Sequence, residues 1–266
     1  MRKLETSEVK QTIFDILCAF ADYCDKYQLR YYLSGGTLLG AIRHKDFIPW
    51  DDDIDLLMPR PDYGKLHELL KNESIRPYYK LISLEAGNSF WPFAKLIDTR
   101  THTENTYATT DRWLWIDIFP MDGLPNDEEE SNKILSQAPP MKIWFNRCNA
   151  KIGEGKGTIR SIMKIPMILA LRLYTPERLG RKLDTLAKQY SFEDSDYVGG
   201  IAWSLGPKER MYKTDYLVTE DVEFHGRKFH APACWDYYLS RIYGDYMQLP
   251  PENQRVNHDF TAYIED

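Results

Sequence analysis

An acidic run early in the chain has the spacing of a metal site. Residues 50–58 read WDDDIDLLM, and the second half of this run alternates polar and apolar side chains as a β-strand does. Residues two apart share one face of a strand, so Asp53 and Asp55 should point together while Ile54 enters the core. Two carboxylates on one rigid edge repel each other unless a hard cation lies between them. Mg²⁺ or Mn²⁺, with phosphate oxygens as its other ligands, is the natural occupant.

The segment before this run is typical of a phosphate-binding turn. Residues 31–33 are β-prone, and Gly35 and Gly36 break that run before Thr37, which we expect to cap a short helix. Glycines allow positive φ and close backbone approach, so N–H groups at the helix start can face a phosphate. Arg43 follows in a polar loop. A solvated acidic turn before an ordinary strand is the alternative interpretation of the aspartates by themselves.

A second stretch, WLWIDIFPMDG at residues 113–123, places Asp117 in an otherwise apolar strand. A carboxylate there is costly to bury unless it is paired or binds a metal. It is either hydrogen-bonded to a neighbouring backbone or Arg group, or it is a third carboxylate of the same site. We expect Asp122 to be a turn residue before Gly123. Lys95 lies in another predicted strand, where it either faces solvent at an edge or contacts phosphate.

Taken together, these motifs resemble a known family. Gly-Gly-Thr followed by Asp-x-Asp on the next strand resembles the nucleotidyltransferase superfamily. The longer string from Gly36 to His44 and from Phe47 to Asp55 is similar to the LicD family, which contains bacterial phosphocholine transferases and is related to fukutin and the fukutin-related protein. The similarity touches residues 31–60, 91–123 and 233–259, and no motif supports it between about 127 and 200.

The resemblance implies a site and an activity. Asp53, Asp55 and Asp117 would hold Mg²⁺ or Mn²⁺ and carry catalysis. The residues that would contact the phosphates of the substrate are Gly35, Gly36, Thr37, Arg43, Lys95 and His258. The enzyme would move phosphocholine from CDP-choline to a hydroxyl of a cell-surface glycan, such as a lipopolysaccharide or a teichoic acid precursor, and release CMP. CDP-ribitol or another activated phospho-group would fit the same motifs.

Choline recognition would need aromatic faces around the quaternary ammonium. The available aromatic residues are Trp50, Trp91, Tyr107, Trp113, Trp115 and Trp203, and the sequence does not choose among them. Two other classes of protein compete with the transferase. A metal-dependent glycosyltransferase also uses Asp-x-Asp, but it would not be expected to combine Gly-Gly-Thr with a strand aspartate like Asp117. A non-catalytic membrane-associated protein would have no need of three convergent carboxylates.

The elements that must position these residues indicate an α+β fold. We expect a nucleotidyltransferase-like mixed β-sheet core flanked by helices, with a helical insertion in the second half. Residues 1–125 would form the catalytic core, 126–195 the insertion, and 196–266 the strands, helix and irregular tail that complete the core. Helices are predicted over 7–27 and 127–150, the latter interrupted at Pro139-Pro140, and a hairpin over 222–229.

Composition narrows the function. The chain has 266 residues with a net charge of −6 and no basic block, which argues against a nucleic acid substrate. Its four cysteines form no Cys-x-x-Cys or Cys/His cluster, so neither a zinc site nor a disulfide framework is expected. The first ten residues lack the apolar core of a secretion signal, which favours the cytoplasm. Residues 158–174 are apolar with a few basic side chains, as in a buried helix or a helix lying on the inner membrane face.

Overall fold

The computed structural model describes residues 1–105, 112–149, 175–255 and 260–265. Within these ranges the helices are α1 (Thr6–Tyr27), α2 (Gly35–His44), α3 (Arg60–Leu69), α4 (Glu128–Cys148), α5 (Pro176–Ala187), α6 (Lys213–Tyr216) and α7 (Trp235–Tyr243). The strands are β1 (Arg2–Lys3), β2 (Tyr32–Leu33), β3 (Asp55–Pro59), β4 (Tyr79–Ile82), β5 (Ala94–Asp98), β6 (Thr101–Asn105), β7 (Leu114–Leu124), β8 (Tyr197–Gly199), β9 (Met211–Tyr212), β10 (Thr219–Phe224), β11 (Arg227–Pro232) and β12 (Phe260–Ile264). This is the mixed α+β architecture that the sequence predicts.

The main sheet is built around the long strand β7. Its described strands follow the order β2-β3-β7-β5-β4, and β8 pairs with the last residues of β7 and with β9. β3 runs parallel to β7, whereas β5 runs antiparallel to it on the other side. The first half of β7 is buried on both faces, as expected of an apolar central strand. β7 therefore lies beside both strands that carry the predicted site residues.

Helix α1 supplies the largest apolar face against this sheet. Its buried side chains recur with helical spacing and include Ile13, Ile16, Leu17 and Phe20. They pack with residues of β3, β5 and β7 in one continuous core. Burial of such side chains stabilises the fold by roughly 1.5–3 kcal/mol each. Two smaller clusters join α4 and α5 to residues 197–203 and to Trp91 and Phe93.

Several local predictions are confirmed. The helix predicted over 7–27 is α1, and the hairpin is β10–β11. His225 and Gly226 both have positive φ at its turn, as a tight two-residue hairpin requires.

The strand predicted over residues 51–58 is wrong at its start. It begins only at Asp55, so Asp53 lies in the segment that leads into β3 and does not share a strand face with Asp55.

Three other local predictions are wrong. Pro139 and Pro140 do not interrupt α4, which continues through them because Ile134, Ala138 and Phe145 are packed on both sides of that point. Asp122 is not in a turn but inside β7. The tail is not wholly irregular, since β12 pairs with β1 and β6, a contact between distant segments that no local pattern indicates.

The described helices include none that is both long and apolar enough to cross a membrane. The segment 158–174, with its predicted membrane contact, lies outside the described residues, and so do Tyr107 and His258.

Candidate active site

A cavity of about 490 Å³ lies over the central strands of the main sheet. Asp53, Asp55 and Asp117 all line it, together with Gly35 and Lys95. Six charged side chains among the described residues face the cavity: Asp53, Asp55, Lys95, Asp117, Lys142 and Glu209. We call it the central cavity. It brings together most of the site residues that the sequence predicts.

The strand register explains why Asp55 and Asp117 meet. Asp55 pairs directly with Asp117 across the parallel strands β3 and β7. Directly paired residues project from the same face of a sheet. The Asp117 amide also donates to the Ile54 carbonyl at 2.8 Å, which fixes this register. The two carboxylates are thus held on one rigid surface rather than on mobile loops.

Lys95 comes to the same place from the other side of β7. It pairs with Asp117 across β5 and β7, and its Nζ lies 3.0 Å from Asp117 Oδ1. Trp115 Nε1 donates to Asp117 Oδ2 at 3.0 Å. Lys95 is therefore not at a solvent-facing edge, and its ammonium contacts a carboxylate of the chain itself. It forms a buried ion pair with the predicted third carboxylate.

Aromatic rings surround the Lys95 ammonium. Its Nζ lies 4.2 Å from the centroid of the Trp115 ring and 4.7 Å from that of Trp91, with Phe93 at 5.7 Å. The negative face of an aromatic ring attracts a cation, and the attraction grows when water is excluded. This aromatic wall stabilises a positive charge in the cavity.

The two glycines of the Gly-Gly-Thr turn let the backbone pack closely against two aspartates. Gly35 has a φ of +52°, and a Cβ built on it would lie 3.1 Å from Asp55 Oδ2. A Cβ on Gly36 would lie 2.6 Å from Asp51 Oδ2. Only glycine leaves room for the backbone so near these carboxylates. The turn therefore shapes the acidic side of the cavity.

Thr37 does not cap the helix as the sequence predicts. Ser34, in extended conformation, precedes the first helical residue Gly35, so Thr37 is inside α2 and does not cap it. Its Oγ1 instead accepts a hydrogen bond from the Asp55 amide at 2.8 Å. Ser34 donates its own amide to the Asp55 carbonyl at 3.0 Å. The turn thus holds Asp55 from both sides of its backbone.

Arg43 does not line the central cavity. Its Nη1 donates to the Tyr246 carbonyl at 2.7 Å, and it borders a separate cavity with Trp50. Its contact with a substrate phosphate stays a prediction, as does that of His258. Of the aromatic residues considered for choline, Trp91, Trp115 and Trp203 line the central cavity, whereas Trp113 lines a neighbouring one.

Two charged residues of the central cavity, Lys142 and Glu209, were not predicted from the sequence. Lys142 comes from α4, and its Nζ lies 4.8 Å from the Trp203 ring centroid. Burial lowers the pKa of Lys142, and the negative charges of Asp55, Glu209 and Asp117 oppose that effect. In the sequence Lys142 is one more polar residue on a helix, so no local signal indicates it.

Glu209 ends a single turn of 3₁₀-helix at Pro207–Glu209. Burial raises its pKa to about 7, although the Leu205 amide and the charge of Lys142 act in the opposite direction. The Leu205 amide donates to Glu209 Oε1 at 3.4 Å. A buried carboxyl group that titrates near neutrality beside a cavity is typical of functional sites.

Asp122 belongs to a separate ion pair. Arg60 donates to both of its carboxylate oxygens, at 2.5 and 2.7 Å. The pair joins the start of α3 to β7. Asp122 is not among the residues that line the cavity, so we regard the pair as structural.

Oxygen ligands from Asp53, Asp55 and Asp117 match the preference of Mg²⁺ in type. Within the ranges that the structure describes, however, no group of three or more Asp, Glu, His or Cys side chains is arranged to hold a metal ion. At Asp117 the Lys95 ammonium already lies 3.0 Å from the carboxylate. The metal site at Asp53, Asp55 and Asp117 stays a prediction.

Comparison with known proteins identifies the family. A model described as the nucleotidyltransferase domain of LicD, FKTN and FKRP matches residues 28–146. The lipopolysaccharide cholinephosphotransferase LicD of Haemophilus influenzae is 30% identical over 269 aligned positions, which cover 99% of this chain and all of that protein. The chain belongs to the LicD family.

Other relatives match only in part. The human ribitol 5-phosphate transferase FKRP is 54% identical over 41 residues, which are 15% of this chain and 8% of FKRP. An uncharacterised protein of Rickettsia prowazekii, RP689, is 42% identical over 45 residues, or 17% of each chain. The LicD relationship thus extends over the whole chain, and the FKRP relationship over a short segment of high identity.

Proposed function

We propose that this LicD-family chain transfers phosphocholine from CDP-choline to a hydroxyl of a cell-surface glycan, such as a lipopolysaccharide or teichoic acid precursor, and releases CMP. The observation that carries the proposal is the meeting of Asp53, Asp55 and Asp117 with two lysines in one cavity, the buried Lys95 and the half-buried Lys142. A cavity of about 490 Å³ has the size of a small-molecule site. The similarity to a cholinephosphotransferase over the full chain supports phosphocholine as the transferred group.

The proposal includes a nucleotidyltransferase-like core and a divalent cation. Asp53 and Asp55 would hold Mg²⁺ or Mn²⁺, with Asp117 within the same row of the sheet. When bound, such a cation neutralises phosphate charge and orients the diphosphate for in-line displacement. Gly35 and Gly36 leave the space in which backbone amides approach that diphosphate.

The residues of the chain then act mainly by position and charge. The acceptor hydroxyl gives its proton to water, its oxygen forms a bond to the phosphorus that carries choline, and CMP leaves with the electrons of the broken P–O bond. Lys95 and Lys142 offset the negative charge that spreads over the phosphoryl oxygens, an effect that is strongest where water is excluded. The Asp117 pair holds Lys95 in place before substrate binds.

Choline would lie against the aromatic wall. Trp91 and Trp115 already face the ammonium of the buried Lys95, whereas Trp203 lies beside Lys142, which is only half-buried. We therefore assign Trp203 as the main contact of the trimethylammonium group, worth roughly 0.5–2 kcal/mol. Glu209, which lines the same cavity, would add a negative charge when ionised.

CDP-ribitol is the second candidate substrate. It is favoured by the 54% identity to a ribitol 5-phosphate transferase over 41 residues. The carboxylates and lysines would act in the same way, because both substrates contain the same cytidine diphosphate. Only the contact of Trp203 with the trimethylammonium group would be lost, since ribitol carries no cation.

The deciding experiment is calorimetric titration of the purified chain with CDP-choline, CDP-ribitol, CTP and UDP-sugars, each with and without Mg²⁺. Binding of CDP-choline that requires Mg²⁺ and exceeds that of the others is the expected result. Trp203→Ala should weaken CDP-choline and leave CDP-ribitol unchanged. A preference for a UDP-sugar would refute the proposal and place the chain among metal-dependent glycosyltransferases.

A further inference from the structure

A second cavity of about 430 Å³ adjoins the central cavity over the same sheet. The two cavities share Trp91, Lys95, Trp115 and Asn149 as lining residues. A molecule in the second cavity, which we call the adjoining cavity, would therefore touch the residue that pairs with Asp117. The proposed transfer reaction assigns no role to the adjoining cavity.

The strand register shows how the two cavities connect. Lys95 pairs with Asp117 on one side and with Ile82 of β4 on the other. The next row on the same face runs from Trp115 through Ile97 to Lys80. The face that carries the catalytic carboxylates thus continues, strand by strand, into the adjoining cavity.

The charges of the two cavities differ in sign. The described residues of the adjoining cavity include three charged side chains, Lys80, Lys95 and Arg112, and all are cationic. The central cavity contains four carboxylates against two lysines. An anion that brings no divalent cation with it therefore gains more from the adjoining cavity than from the central one, where the carboxylates oppose its entry.

The remaining lining suits a carbohydrate. Trp113 is partly exposed, directly precedes β7 and lines the adjoining cavity together with Trp115. An indole face packs well against the C–H side of a sugar ring, because both are flat and apolar. Asn88 and Ser89 add amide and hydroxyl groups that can both donate to and accept from sugar hydroxyls.

We propose that the adjoining cavity is the acceptor subsite and that it recognises an anionic carbohydrate. The sugar ring packs on Trp113, and its phosphate or carboxylate group lies against Lys80 and Arg112. One hydroxyl is then directed along the sheet face towards Lys95 and Asp117. This inference rests on the proposed transferase function and adds to it the chemical class of the acceptor.

The test measures binding of simple probes by ligand-observed NMR. Glucose 6-phosphate, glucuronic acid, glucose and inorganic phosphate are titrated into the full chain. We expect the two anionic sugars to bind more tightly than glucose or phosphate. Lys80→Gln should weaken glucose 6-phosphate about tenfold, as for loss of one charge-assisted contact, and Trp113→Ala at least about threefold.

Two control variants test whether glucose 6-phosphate binds in the adjoining cavity. Lys228→Gln removes an exposed lysine from the β10–β11 hairpin and should change nothing. Lys142→Gln removes a lysine of the central cavity and should leave glucose 6-phosphate binding intact. Weakening by Lys142→Gln but not by Lys80→Gln would place the sugar in the central cavity and overturn the inference. Equal affinity for phosphate and glucose 6-phosphate would also overturn it, because the sugar would then contribute nothing.

Binding of the CDP-linked substrate separates this inference from the proposed function. Lys80→Gln and Trp113→Ala should bind CDP-choline as the wild type does, since neither residue lines the central cavity. A chain that binds glucose 6-phosphate at Lys80 and Trp113 but no CDP-linked compound would refute the proposed function and support the anionic carbohydrate site.

Discussion

The ammonium of Lys95 and the carboxylate of Asp117 form a buried ion pair at 3.0 Å, with side chains only 5% and 12% exposed. They lie opposite each other on neighbouring strands in the middle of the main sheet. Loss of one partner would leave the other charge buried without this ion pair. Such a loss typically costs about 3–5 kcal/mol.

Lys95→Met should therefore lower the free energy of unfolding by about 3–5 kcal/mol, measured by urea denaturation. Lys71→Met is the control, because Lys71 forms an exposed pair with Glu68 and should change stability by less than about 1 kcal/mol. Lys95→Met with Asp117→Asn should recover much of the loss, since both charges of the pair are then removed. Equal effects of the two single lysine variants would contradict the buried pair.

Asp55→Asn should abolish phosphocholine transfer while the chain stays folded. The change keeps the size of the side chain and removes the charge that we propose for the cation. A fall in turnover of at least about a hundredfold is expected, and Mg²⁺-dependent binding of CDP-choline should be lost.

Asp52→Asn is the matched control, because Asp52 lies in the same acidic run and does not line the central cavity. It should retain most of the activity. Turnover close to wild type in Asp55→Asn, with the melting temperature unchanged, would refute the metal assignment.

Gly35→Ala should impair activity through the backbone. The residue has a φ of +52°, where an alanine is strained by roughly 1–2 kcal/mol, and its Cβ would press on Asp55 Oδ2. Gly64→Ala is the control, since Gly64 lies inside α3 with no atom within 4 Å of its Cβ position. That variant should stabilise the protein by about 0.5–1 kcal/mol. Differential scanning calorimetry and turnover assays on both variants distinguish the two effects.

Glu209 should make stability depend on pH. Its pKa is about 7 in the folded chain against an ordinary value of 4.5, because burial disfavours the charged form. Between these values the folded state holds a proton that the unfolded state has released. The contribution of Glu209 to the free energy of unfolding is therefore largest below pH 4.5. It falls by about 1.4 kcal/mol per pH unit as the pH rises towards 7, and it is lost above pH 7.

Glu209→Gln should remove that slope and raise the melting temperature above pH 7 relative to the wild type. Glu223→Gln, at an exposed position of β10, should leave the slope in place. Melting temperatures of the three proteins at pH values from 4.5 to 8 provide the measurement. Parallel curves for Glu209→Gln and the wild type would show that Glu209 does not titrate in this window.

Local patterns were sufficient for the parts of the site that are close in sequence. Alternation places Asp55 on a strand with its neighbours in the core, and the glycine pair marks the tight approach before it. The apolar stretch around Asp117 identifies a central strand with one carboxylate that needs a partner. These features depend only on residues a few positions apart, so the sequence contains them directly.

The tertiary structure decided which distant residues meet. The pairing of Asp55 with Asp117, and of Asp117 with Lys95, depends on strand order and register, which are fixed by packing across the whole sheet. Lys142 and Glu209 enter the cavity from a helix and a short turn that have no distinguishing motif. Thr37 became a support of Asp55, and Arg43 a contact of the loop after α7, because their nearest hydrogen-bonding partners come from other segments. The sequence by itself thus determined the kinds of groups available for phosphate chemistry, and the fold determined their partners, since burial and hydrogen bonding are satisfied only between segments far apart in the chain.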